Sequence, residues 1–333
     1  MKSLVLIDPA MYSHRGVPSP NLGDQIISRA VHRELFKLFG VGTEIVCTPS
    51  HAYPRPALVP HLRAARHVIV GGSNLLSFHP IRPTSWKIGP VGHYAYRNLM
   101  LLGAGWGSYL IQGGAYSRWV AQRILSSESL HSVRDAYTER RVREDLHIPN
   151  VINTACPTMW ELTPGALADI PVRKAESCLF TFTDYSQDPA RDARVLQLLQ
   201  QAYSGNLTFW PQGARDLGYL QALGYTGRVL DRSLVALLEF LKRATSLDYV
   251  GTRLHAGILC LEHGVRSLVI SVDNRATEIA RDTNLPVMER NDFDRLARWL
   301  AGETDHRIVV PFDQVERWRT SLLGQASAQA GRT

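Results

Sequence analysis

Short β-branched, apolar runs alternate with stretches of helical periodicity along almost the whole chain, and no other feature limits the fold as tightly. "KSLVLID" leads into "DQIISRAVHRELFKLFG", whose apolar residues recur at helical spacing as far as Gly40. "TEIVC", "HVIVGG", "NLMLLGAG", "LHSVRD" and "NVINT" follow, with helical stretches at Tyr116–Ser126 and Ala136–Leu146 between the later ones. The periodicity lapses over "TPGALADIPVRKAES" and then resumes. "SCLFTFT", a helix from Pro189 to Tyr203, "NLTFWP", a helix near Leu217, another over Ser233–Arg243, "SLDYVG" and "SLVISV" complete the series.

Strands that take turns with helices call for mostly parallel sheets covered on both faces. At 333 residues, 45% of them hydrophobic, the chain can fill two cores. The expected fold is α/β, with two Rossmann-like domains facing a cleft. Residues 1–162 make the first domain, 163–176 a linker, 177–323 the second domain, and 324–333 a polar tail without structure.

Composition narrows the setting. The four cysteines, Cys47, Cys156, Cys178 and Cys260, have neither paired nor CxxC spacing, which fits a reducing compartment rather than a disulfide framework. No spacing suggests a metal cluster, so neither a metal nor a cofactor is expected. No run is long and apolar enough to span a bilayer, and the short apolar start reads as a first strand rather than a leader. A cytoplasmic location is the expectation. The net charge of +7 favours anionic partners, but no basic block interleaved with aromatics points to nucleic acid. "YPRPALVPHLRAARH", Tyr53 to His67, and "HPIRPTSWK" with Trp86 and Lys87 combine basic and apolar residues. They read either as loops packed on the first domain or as a patch for peripheral contact with the inner membrane face.

The informative residues lie where strands give way to helices. In "GTRLHAG", Thr252 is placed to cap a helix, and Arg253 and His255 sit in its first turn. A helix N-terminus already favours anions, so added cations there are unfavourable unless an anion binds. Arg134 in "SVRDAYTER" repeats the arrangement, with Asp135 a natural cap. Asn21, Gly23 and Asp24 of "NLGDQII" read as a tight turn and cap. Gly72, Ser73 and Asn74 of "VIVGGSNLL", like the glycines of "LLGAGWGSY", read as close backbone turns rather than a dinucleotide fingerprint. Trp210 and Gln212 of "FWPQG" follow another strand; an aromatic there can stack on a sugar, although a core place suits Trp210 better.

In order, the Asn-x-Gly-Asp loop, "GGSN", "GAGWG", "SVRD", "TRLHAG" and "ISVDNRATEIARDTNLP" resemble the polysaccharide pyruvyl transferases, from about Leu4 to Pro286. The resemblance implies two Rossmann-like domains arranged as in GT-B glycosyltransferases. It also implies transfer of pyruvate from phosphoenolpyruvate onto two hydroxyls of a sugar, as a cyclic ketal, in polysaccharide or exopolysaccharide biosynthesis. By that resemblance Arg134, Arg253, Leu254 and His255 hold phosphoenolpyruvate. His255 and Asp24 are candidates for acid and base, and Asn21, Gly23, Gly72, Ser73, Asn74 and Arg275 for the acceptor side or cleft. The acceptor is a sugar, and a lipid-linked oligosaccharide is one form it can take. Where the family commonly has aspartate before Pro157, this chain has Cys156. Two rival readings remain: a GT-B glycosyltransferase with a nucleotide-sugar donor, and a non-catalytic binder of acidic glycans.

Overall fold

A computed structural model describes residues 3–79, 84–110, 113–302 and 307–330. The chain divides into two compact units, residues 1–19, 27–160 and 310–333 against residues 20–26 and 161–309.

The first unit opens with β1 (Ser3–Asp8), α1 (Leu22–Phe39, whose first turn groups with the second unit), β2 (Glu44–Pro49), α2 (Val59–Ala64), β3 (His67–Gly71), α3 (Gly89–Ala95) and β4 (Leu99–Leu102). It continues through α4 (Ala115–Ile124), β5 (His131–Val133), α5 (Ala136–Asp145) and β6 (Val151–Asn153). The second unit holds α6 (Pro164–Ala168), β7 (Ser177–Thr181), α7 (Pro189–Tyr203), β8 (Leu207–Phe209), α8 (Asp216–Ala222), β9 (Arg228–Val229) and α9 (Leu234–Arg243). Then come β10 (Leu247–Gly251), α10 (Leu254–Glu262), β11 (Arg266–Ser271), α11 (Asn274–Thr283), β12 (Val287–Glu289) and α12 (Phe293–Ala301). A last helix, α13 (Phe312–Ala330), belongs to the first unit.

All the paired strands run parallel. The first sheet has the order β2-β1-β3-β4, and a parallel bridge from Ala104 to Val133 carries it on into the β5-β6 pair. The second has the order β12-β11-β10-β7-β8-β9. Counted from β7, that is the 3-2-1-4-5-6 order of a Rossmann sheet. The chain runs outward from β7 to β9, then returns to β10 on the other side. In such a sheet ligands bind beyond the carboxyl ends of the strands where the direction reverses. Those strands are β7 and β10 in the second unit, and β1 and β3 in the first.

Local chemistry explains why the elements begin and end where they do. At α7, Pro189 occupies the first turn, where its missing N–H costs nothing, and the Asp188 carboxylate accepts the Arg191 N–H at 3.2 Å. The helix ends on Ser204 in the left-handed region, followed by Gly205. The central strands β3, β7, β10 and β11 are almost wholly buried, as near-continuous apolar runs in a parallel sheet require. One buried charge pair is structural: Arg266 on β11 binds Asp248 at the amino end of β10 at 2.6 Å and lies 3.8 Å from the Trp299 ring.

Three expectations need correcting. Helix α13 runs through Ala330 into the expected tail, because "GQASAQA" is rich in good helix formers and lacks proline. It belongs with the first unit rather than the second: Trp318 is fully buried against Trp160, and Arg319 pairs with Glu34 at 2.6 Å. Part of the expected linker is helical, with the Thr163 hydroxyl capping α6. Of the two readings of that basic and apolar segment, Trp86 fits the packed loop: it is buried between Phe78 and Tyr96, since an indole gains more by filling the core than by facing water. Residues 80–83 of that segment lie outside the described residues. Tyr53 in the neighbouring segment is 63% exposed. Among the described residues no helix is long and apolar enough to cross a membrane.

Two histidines make the first unit sensitive to acid. His131 is fully buried, with Nε2 donating to the Ser126 carbonyl at 2.8 Å and Nδ1 accepting the Leu101 N–H at 3.3 Å. That geometry fits only the neutral ring, and burial pushes its pKa down to about 4. Burial, with Arg66 alongside, does the same to His67. A pKa lower in the folded state than in the unfolded chain means that the unfolded chain binds more protons between about pH 6.5 and 4. Stability is therefore complete above pH 6.5 and falls as the pH drops towards 4, by about 3 kcal/mol from His131 alone. Urea denaturation across this range checks it. His131→Gln should flatten the slope, and an unchanged slope would count against the assignment.

Candidate active site

The carboxyl ends of β7, β10 and β11 carry a connected cluster of charge. Arg253, just after β10, is only 5% exposed. Its Nε donates to Asp216 at 3.1 Å and its Nη2 to Asp184 at 3.2 Å, with a further Nη2 contact to Asp216. Burial pushes the Asp216 carboxyl up against the pull of Arg253. Asp184 is held down despite its burial, by hydrogen bonds with Asp216 and Arg215 and by the Arg253 charge. Asp216 also accepts the N–H groups of Gln212 and Gly213, so one carboxylate fixes the turn after β8 and the arginine after β10. A side chain at Gly213 would meet Asp216 at 2.9 Å and Asp184 at 3.1 Å and would overlap the Arg253 guanidinium.

Tyr185 lies between two guanidinium groups, with Arg253 5.1 Å and Arg275 5.6 Å from its ring centre. Its hydroxyl accepts from Arg275 at 2.5 Å and donates to Asp273 at 3.0 Å. Asp273 caps α11 through the Arg275 N–H and also takes the Arg275 side chain. Burial alone would raise the Asp273 carboxyl, but Arg275 outweighs it and holds the pKa at about 2. Arg275 itself rises despite its burial, through Tyr185, Asp273 and, more weakly, Asp24. Neither arginine is used up. Among the described residues, Nη1 of Arg253 and Nη1 of Arg275 donate to no protein group.

Helix α10 starts one residue later than expected. Arg253, not Thr252, is its N-cap, and no side chain caps it. The Thr252 hydroxyl is buried without a hydrogen-bond partner among the described residues. His255 stands in the first turn and is 5% exposed. An uncapped, positive helix end, a buried hydroxyl and two guanidinium groups with N–H groups to spare suit a small ligand with more than one negative charge.

Asn21, Gly23 and Asp24 group with this second unit. The Asn21 side-chain carbonyl accepts the Gly23 N–H and the Gln212 side-chain amide, each at 3.1 Å. A Cβ on Gly23 would sit 2.8 Å from that amide, so glycine is needed for close approach. Asp24 lies in the first turn of α1 and is 7% exposed. The second unit thus brings together Asn21, Gly23, Asp24, Arg253, Leu254, His255 and Arg275 of the expected set.

Arg134, Gly72, Ser73 and Asn74 belong to the first unit. Gly72 and Ser73 both take positive φ, 78° and 63°, and a Cβ on Gly72 would stand 2.5 Å from Ile27 Cγ2. The half-buried Asn74 has its Oδ1 buried without a hydrogen-bond partner among the described residues. Asp135 is the cap the sequence implied: its Oδ1 accepts the Thr138 N–H at 2.6 Å and its Oδ2 the Arg134 Nε at 3.1 Å. Arg134 is 2% exposed and packs its guanidinium where a side chain on Gly105 would be. Its terminal nitrogens donate to no group among the described residues. Both expected anion-binding arginines are therefore buried and already paired with aspartates, each retaining N–H groups for a further acceptor.

Gly103, in "GAGWG", is a packing turn: its φ is +66°, and a Cβ would run into the Pro157 ring. Trp210 is fully buried with its indole N–H on the Ser233 carbonyl, a core residue. Cys156 is buried, its thiol pushed up by that burial, and accepts the Thr158 hydroxyl. Sequence reasoning missed Asp184, Tyr185 and Asp216. The available signal was position, since Asp184 and Tyr185 follow β7 much as Arg253 follows β10.

Comparison with known proteins bears on what such a cluster serves. The family model described as polysaccharide pyruvyl transferase matches residues 21–274. No curated protein matches the chain in sequence. Among solved structures, the crystal structure of LpCGTa in complex with UDP aligns over 99% of this chain and 93% of its own, at 13% identity and a TM-score of 0.37.

Proposed function

The chain belongs to the polysaccharide pyruvyl transferase family, a family of transferases, and from that premise we propose that its donor is phosphoenolpyruvate. The observation that carries the reading is the pair Arg253 and Arg275 on either side of Tyr185, beside the uncapped start of α10, each with an Nη1 that donates to no group among the described residues. Phosphoenolpyruvate bears a carboxylate and a phosphate on a three-carbon skeleton, and forked guanidinium groups match both. Arg134, a further donor candidate by the family resemblance, has terminal nitrogens that donate to no group among the described residues.

In this reading His255 delivers a proton to the methylene carbon, which becomes a methyl group and leaves C2 oxocarbenium-like. A sugar hydroxyl attacks C2 and gives its proton to Asp24. The C2–O bond to phosphate then breaks, and a second hydroxyl closes the ketal. Of the two protons that the hydroxyls release, one restores His255 and the other leaves with phosphate. A proton placed well in such a step is worth roughly 100- to 10,000-fold in rate. Asn21, Gly23, Gly72, Ser73 and Asn74 are the acceptor candidates, Asn74 through its unsatisfied buried carbonyl.

Incubation with phosphoenolpyruvate and a panel of glycans, including lipid-linked oligosaccharides, tests the reading. Proton and phosphorus NMR should show inorganic phosphate appearing together with a ketal methyl signal, for at least one acceptor. Phosphate without the methyl signal, or transfer from a nucleotide sugar instead, would reject it.

A further inference from the structure

We propose that Asp8, His32 and Cys47 form a zinc site in the first unit, with a fourth position open to water. The residues come from the carboxyl end of β1, the third turn of α1 and the edge strand β2, and nothing in their sequence spacing marks them. One ligand atom from each lies within 4.8 Å of the other two. Nε2 of His32 is 3.5 Å from Sγ of Cys47. A tetrahedral zinc, with about 2.3 Å to sulfur and about 2.0 Å to nitrogen, sets those two atoms roughly 3.5 Å apart. The His32 and Cys47 donors stand near the separation zinc would impose.

The surrounding groups orient the donors as metal sites require. Nδ1 of His32 donates to the Ser28 carbonyl at 3.0 Å, which leaves the Nε2 lone pair aimed at the thiol side. The Ser28 hydroxyl donates to Asp8 Oδ2 at 2.9 Å, and the Ala10 N–H to Oδ1 at 2.8 Å, so the carboxylate is held from both oxygens. Nitrogen, oxygen and sulfur donors together suit borderline-soft zinc better than magnesium or calcium. His32 and Cys47 are only half-buried, which gives an ion a path in from solvent.

What the ion would do follows from where it sits. It would tie β1, α1 and β2 together at the carboxyl edge of the first sheet, at the root of the loop that leads to Asn21. The site is independent of the donor chemistry proposed above, and its test uses neither phosphoenolpyruvate nor a sugar.

Untagged protein stripped of metal should be titrated with Co2+ and then Zn2+ alone. Cobalt should bind one per chain with a near-ultraviolet thiolate-to-cobalt band, zinc should displace it, and the melting temperature should rise. Cys47→Ala should abolish the band and weaken zinc at least about 100-fold, and Ser28→Ala should weaken it about 10- to 100-fold through the loosened His32 and Asp8. Cys47→Ser and His32→Gln give the same comparison if the alanine variant folds poorly. The absence of a thiolate band, or zinc affinity unchanged in the cysteine and histidine variants, would leave a plain hydrogen-bonded chain and overturn the site.

Discussion

Arg253→Ala is expected to destabilise the protein by about 3–5 kcal/mol, the usual cost of removing one partner from a buried ion pair. Asp216 is fully buried and pairs with this guanidinium, and the largely buried Asp184 shares it with Arg215. Without it, two carboxylates stay in a poorly solvated site, and the turn that Asp216 ties through Gln212 and Gly213 loosens. Arg253→Lys keeps a charge but not the fork, so it should recover only part of the loss. Urea denaturation measures both. A double variant, Arg253→Ala with Asp216→Asn, should be closer to wild type than the single one, because it removes the stranded charge as well. A single variant as stable as wild type would show that the network carries no such weight.

The second large effect concerns His255. If this histidine supplies the proton to the donor, His255→Gln should lower kcat about 100-fold or more. Binding of phosphoenolpyruvate should change little, because glutamine can still donate a hydrogen bond from the same turn. If His255 only holds phosphate, affinity and rate would fall together. Single-turnover rates beside calorimetric affinities separate the two outcomes.

The parts of this molecule that depend on local periodicity could be read from the sequence. Helix α7 spans Pro189–Tyr203 as its cap and apolar spacing imply, and the strand runs lie in two parallel sheets. Helix starts were less exact where side chains could choose between roles. Thr252 has the chemistry of a cap, yet Arg253 takes the position because its guanidinium is drawn to Asp216 and Asp184. The division of the chain was not legible either. Helix α13 returns to the first unit through Trp318 and Arg319, contacts with Trp160 and Glu34 that no local pattern announces.

The site shows the same division. Arg134, Arg253, His255 and Arg275 draw notice in the sequence because cations at the ends of strands run against the sign of a helix N-terminus. Tyr185, Asp184 and Asp216 could not, since their importance comes from which arginines they touch. Asp8, His32 and Cys47 are further still from any sequence signal: three unremarkable residues on separate elements, brought together by the β2-β1 pairing and the packing of α1.

The proposed phosphoenolpyruvate site beyond β7, β10 and β11 is tested by calorimetric titration of the wild-type protein with phosphoenolpyruvate, set beside a panel of nucleotide sugars. Phosphoenolpyruvate should bind saturably at one site per chain, and Arg275→Ala should weaken it by about 1.5–3 kcal/mol, the worth of a hydrogen bond to a charged group. Saturable binding of a nucleotide sugar with no heat from phosphoenolpyruvate, or phosphoenolpyruvate affinity unchanged in the Arg275 variant, would contradict it.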